Sequence, residues 1–138
     1  MSTWLEDQGF QKLEASGTMC EVWFSSASVE FLVLESRNDR PKVKQLNRIL
    51  GRLCDYGLQG VTSNEQFRQE CSLPTGKKDG SKKKVYAVKA HQLRLYGGFI
   101  CGNKMFLVIE GARKKRDQAD QEQLKRIAQA LGSYDGER

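Results

Sequence analysis

The chain has 138 residues, 38% of them hydrophobic, with 23 Lys and Arg against 17 Asp and Glu, a net charge of +6 and a pI near 9.2. That length fits one domain and not a second full core. No stretch approaches the ~20 apolar residues of a membrane helix, and MSTWLEDQGF lacks the basic-then-apolar order of a secretory leader, so a cytoplasmic protein with no membrane partner is expected.

Residues 1–19 read as an N-terminal extension, with Trp4, Leu5, Phe10 and Leu13 able to share one apolar helical face, interrupted at Gly9 and ended at Gly17. Glu21 to Ser25 reads as a short strand on Val22, Trp23 and Phe24. Ser25 or Ser26 suits the N-cap of a following helix carrying Val29, Phe31, Leu32 and Leu34, a run apolar enough to fit a strand as well. Over 40–56, Val43, Leu46, Ile49, Leu50 and Leu53 recur at helical spacing with Lys42, Lys44, Arg48 and Arg52 between them. Pro41 suits the first turn of that helix and Gly57 its C-terminal cap. Residues 58–84, which include LPTGKKDGSKKK, read as a polar loop. Three strands are expected next: Val85–Ala90, Gln92–Ile100 and, after a turn at Gly102 and Asn103, Met105–Glu110. MFLVIE is apolar on both faces, as in the middle of a sheet. A last helix is expected from about Asp117 to Leu131, with Leu124, Ile127, Ala128 and Leu131 as its buried stripe, Asp120 and Gln123 as a capping box and Gly132 as its end. The order β-α-α-β-β-β-α predicts an α+β fold: a small antiparallel sheet with two N-terminal helices and one C-terminal helix.

Charge and donor types narrow the function. Acidic residues are frequent up to Asp39, while cations crowd into 77–84 and 113–116, so nucleic acid is the first candidate partner. Cys20, Cys54, Cys71 and Cys101 lie in separate segments without a CxxC pair, and His91 is the only histidine. Metal sites need closer ligand pairs, so no metal or cofactor is expected and the thiols read as buried or incidental.

EVWFSSASVEFLVLESRNDRPKVKQLNRILGRLCDYG resembles the opening of RelE/ParE-type toxins: a short strand, a helix, then a longer basic helix ending in Gly. The segments VYAVK, QLRLY, MFLVIEG and RKK and the helix from 118 resemble, in order, that family's later strands, its "KK" pair and its closing helix. The resemblance covers roughly 20–134, with 135–138 as a tail. It implies a RelE/ParE-like fold and the toxin of a toxin–antitoxin pair, with mRNA on the ribosome and a cognate antitoxin protein as partners. RelE-like and HigB-like members cleave mRNA, whereas ParE-like members inhibit DNA gyrase, so the fold alone does not decide the activity.

Metal-free RNA cleavage uses the RNA 2′-OH as nucleophile; Arg and Lys stabilise the charge on phosphate, and His, Tyr, Lys or Glu move protons. Arg94 matches the arginine of the family's central strand and by alternation shares a face with Gln92 and Tyr96. Lys115 is the nearest match to a second catalytic cation, within the RNA-binding group Arg113, Lys114 and Arg116. Lys89 matches a region in which RelE-like members use lysines for proton transfer, and Lys82, Lys83 and Lys84 read as flexible phosphate contacts. His91 is the side-chain type that exchanges protons near neutral pH, and Tyr96 suits base stacking or proton donation. One stretch departs from the family: RDQADQ stands where a catalytic tyrosine is common, and Tyr134 lies farther on. The expected activity is therefore a metal-independent endoribonuclease, an mRNA interferase. The alternatives are a non-catalytic RNA- or protein-binding regulatory module and a ParE-like gyrase inhibitor. The extension 1–19 is also a candidate to cover the site in cis.

Overall fold

The computed structural model describes residues 3–13, 19–63, 65–114 and 120–135. In chain order these form α1 (Thr3–Asp7), β1 (Gln11–Lys12), β2 (Glu21–Phe24), α2 (Ser26–Asn38), α3 (Arg40–Tyr56), the 3-10 turn η1 (Gly57–Gly60), β3 (Phe67–Pro74), β4 (Lys82–Ala90), β5 (Leu93–Ile100), β6 (Met105–Arg113) and α4 (Gln121–Asp135). The six strands make one sheet in the order β1-β2-β6-β5-β4-β3. The α+β class is as expected, but the sheet is mixed: β2 runs parallel to β6, from Glu21 opposite Met105 to Phe24 opposite Val108. The remaining pairs are antiparallel.

Period-two alternation splits the strands between two cores. Phe106 and Val108 of β6 join Leu93 and Leu95 of β5 and the α3 stripe Leu46, Ile49, Leu50 and Leu53 on one face, where Val29, Phe31 and Leu32 of α2 also pack. Met105, Leu107 and Ile109 of β6 join Tyr96, Ile100 and the α4 stripe Leu124, Ile127, Ala128 and Leu131 on the other. Helices thus cover both faces, which is why MFLVIE has no polar side. Each α3 leucine is fully enclosed, so truncating Leu46 or Leu50 to Ala costs about 2–5 kcal/mol.

Residues 3–13 are part of this packing. Leu5 and Phe10 are buried in the α4-side core, and Gln11–Lys12 extends the sheet beyond β2. They therefore lie at the β1 edge, at the opposite side of the sheet from β4 and β3, and do not cover the cationic strands in cis.

Caps explain the helix starts. Ser25 N-caps α2, its Oγ accepting from the Ser28 amide at 3.1 Å and donating to the Ile109 carbonyl at 2.6 Å, which ties the helix to β6. The run 26–38 is therefore helix and not strand. Asp120 Oδ1 accepts from the amides of Glu122 at 3.0 Å and Gln123 at 3.5 Å, so α4 begins at Gln121; residues 117–119 of the expected helix lie outside the described residues. Gly132 does not end α4. A Cβ there would lie 2.5 Å from Thr75 Cβ, so this glycine lets the helix approach the end of β3, and the helix runs on to Asp135.

The expected loop over 58–84 is the largest correction. It contains all but the first residue of η1, the whole of β3 and the first three residues of β4. Lys82, Lys83 and Lys84 are consequently strand residues, paired with Pro74, Leu73 and Ser72. No helix among the described residues is long and apolar enough to cross a membrane.

Candidate nucleic-acid interface

The β4–β5 connection is a two-residue turn, His91–Gln92, with Ala90 opposite Leu93 and His91 at φ 56°. Tight hairpin turns require such left-handed residues. The turn is held from below. Arg94 is 7% exposed, and its Nη1 donates to the His91 carbonyl and, at 3.1 Å, to the Leu93 carbonyl. The arginine therefore fixes the backbone that carries the exposed imidazole of His91.

Lys89 stands directly opposite Arg94 in the ladder, on the same sheet face. Like charges at opposed positions of a sheet repel, with Cβ atoms about 5 Å apart. Arg68, opposite Ala87 on the neighbouring strand, adds a third cation to that face, its Nε 3.0 Å from Glu70 Oε2. These groups border one hollow of about 530 Å³ lined by Gln45, Glu65, Gln66, Arg68, Lys89, His91 and Arg94. Arg68, Lys89 and Arg94 are the basic side chains of this lining and Glu65 the acidic one, with Arg68 also ion-paired to Glu70.

No family model, curated protein or solved structure matches the chain. The chemistry of this region therefore follows from its own geometry.

The structure brings Arg94, Lys89 and His91 together. It does not bring Tyr96 to the surface: the ring is 1% exposed, packed in the α4-side core, and burial pushes its hydroxyl up to about 12. Arg113 is near the same end of the sheet but engaged, ion-paired with Glu35 and reaching Gln92 Oε1 at 3.5 Å. The Lys114 amide donates to the Gln92 carbonyl at 2.7 Å, so this backbone also braces the turn. Lys115 and Arg116 lie outside the described residues. Lys82, Lys83 and Lys84 sit at the far end of β4, five to seven residues from Lys89, roughly 16–23 Å along a strand.

Gln45, Gln66 and Arg68 were not singled out from the sequence. Arg68 and Gln66 belong to or border a strand read as loop, and Gln45 reaches the hollow from α3. Only a correct β3 assignment pairs Arg68 with Ala87 and so places it beside Lys89. Tyr134, the late tyrosine, packs edge-on against Phe10 with ring centroids 5.0 Å apart.

Proposed function

We propose that this chain binds single-stranded RNA in the hollow at the β4–β5 turn and cleaves mRNA there as a toxin of the RelE/ParE type. The observation that carries the reading is the cross-strand cation pair Lys89 and Arg94, with Arg68 and His91 around the same hollow. Such a cluster is electrostatically favourable when a phosphodiester sits in it.

The proposed chemistry uses these groups. The RNA 2′-oxygen attacks the adjacent phosphorus, the bond to the 5′-oxygen breaks, and a 2′,3′-cyclic phosphate and a 5′-hydroxyl result. Lys89 and Arg94 offset the charge building on the phosphoryl oxygens. His91, exposed on the turn, is the proton-transfer group of the set, taking the proton from the 2′-hydroxyl and passing it to the departing 5′-oxygen. The cognate antitoxin belongs to the same proposal. Apolar Val29, Leu32 and Val33 border a groove shared with Val43, and Lys44, Arg48 and Arg52 line the adjoining one. That pairing supports an acidic amphipathic partner segment.

A second reading, RNA binding without cleavage, is favoured by the enclosure of Tyr96 and the engagement of Arg94 with turn carbonyls. Incubating purified protein with labelled mRNA, both free and engaged on ribosomes, separates the two. The proposal expects cyclic-phosphate products, lost in Lys89→Gln. Binding that weakens in Lys89→Gln with no product from either protein selects the second reading. Equal binding by both proteins removes the site.

A further inference from the structure

The far end of β4 carries a different arrangement of the same residue type. Alternation sends Lys83 to the α4 side, where its Nζ is ion-paired with Asp135 and donates to the Phe99 carbonyl at 3.2 Å. Lys82 and Lys84 point to the α3 side, are exposed, and have no carboxylate partner among the described residues. They border a hollow of about 310 Å³ together with Leu58, Tyr86, Phe99 and Asn103. Tyr86 is half-buried, with Phe67 stacked on its ring at 5.2 Å and Phe99 edge-on at 5.3 Å, and burial pushes its hydroxyl up, so it remains a donor. Leu58 is 42% exposed at the same hollow.

A simple anion would need the lysines alone. Lysines set beside an exposed leucine and the half-buried ring of Tyr86, with the buried Phe99 at the same hollow, suit an anion that also carries a flat, weakly polar surface, which describes a nucleotide unit. We propose that the hollow between η1 and the start of β4 is a second subsite for single-stranded RNA, taking one nucleotide with its phosphate on Lys82 and Lys84 and its base against Leu58, Tyr86 and Phe99. The inference rests on RNA being the ligand of the β4–β5 end. One strand reaching both sites gains affinity because the second contact is made intramolecularly.

Fluorescence anisotropy with a labelled single-stranded RNA of about 12 nucleotides, across a range of salt, tests this. In Lys82→Thr/Lys84→Thr the slope of log K against log salt falls by about 1.4, about 0.7 for each lysine charge removed from the phosphates. Leu58→Ser weakens binding several-fold with no change of slope, because it removes apolar surface under the base and no charge. Lys83→Gln leaves the slope unchanged. An unaltered slope in the double variant, alongside weakened binding in Lys89→Gln, overturns the subsite and leaves the β4–β5 site standing. A reduced slope with no effect of Leu58→Ser overturns the nucleotide assignment in favour of a bare anion contact. Binding indifferent to Lys89→Gln but abolished in the double variant overturns the β4–β5 site instead. Wild-type protein that binds vesicles of anionic phospholipid and not RNA overturns both.

Discussion

The two ends of strand β4 are both cationic, yet their charges are held differently. At the β4–β5 turn, Arg94 is buried under the backbone it supports, Arg113 is paired with Glu35, and Lys89 faces Arg94 across the ladder. At the opposite end, alternation divides a run of three lysines: Lys83 is tied to α4 through Asp135, and Lys82 and Lys84 face solvent beside aromatic rings. A basic run is thus not one object. Its members are structural or available according to which sheet face each one takes and what packs there. The first end resembles a pre-organised site with fixed backbone; the second resembles a contact patch on a stable strand.

A residue between the two ends tests the scaffold on which both depend. Gly97 follows a register shift in β5, and a Cβ there would lie 2.0 Å from the Leu107 carbonyl oxygen. Gly97→Ala is expected to cost about 3 kcal/mol or more and to abolish RNA binding at both ends together, read as a collapsed urea midpoint. Arg94→Ala comes next. Loss of a charged donor to two turn carbonyls is expected to cost about 2 kcal/mol, and cleavage is expected to fall by about 10²-fold or more. Thermal melts and product assays on the same sample report both, and unchanged turnover would remove Arg94 from the site.

Alkaline pH separates core from site. Tyr96 is held near 12 by burial, against about 10 in an unfolded chain, so folding favours its protonated form. That stability is present below about pH 10 and is lost as pH rises through about 12, amounting to about 3 kcal/mol. Urea midpoints should therefore fall across this window in the wild type, and the Tyr96 share of the fall should vanish in Tyr96→Phe. The smallest expected effect is that of Lys83→Gln. Its partly buried pair with Asp135 contributes about 1 kcal/mol, so the melting temperature should drop by a few degrees with RNA affinity unmoved.

The clearest parts of the sequence were those with strong period or strong caps. The α3 stripe and its Pro41 and Gly57 boundaries marked a helix over 40–56, and the structure has Arg40–Tyr56. MFLVIE marked an interior strand, and β6 is one, extended to Arg113 by pairing with Leu93 and Arg94. Strand β3 was hidden for a physical reason. It is an edge strand whose register shifts between Gln69 and Cys71, so the extra residue Glu70 breaks its alternation, and Pro74 closes it. With β3 hidden, Arg68 was hidden too. The parallel β2–β6 pair was not legible because no local pattern encodes which remote strand a short segment joins. Among the candidate site residues, Arg94 and Lys89 are adjacent because a two-residue turn forces Lys89 opposite Arg94. The burial of Tyr96 depends on α4, whose docking the sequence near residue 96 does not reveal.

If the Lys89–Arg94 end of the sheet is where RNA is bound and cut, toxicity must depend on Lys89. Induced expression of the wild type and Lys89→Gln in bacteria, with growth followed and mRNA 5′ ends mapped, is the decisive experiment. The expected result is growth arrest with new in-frame mRNA ends for the wild type, and normal growth with intact mRNA for the equally abundant, folded variant. The same cuts in both proteins, or none in either, would contradict it.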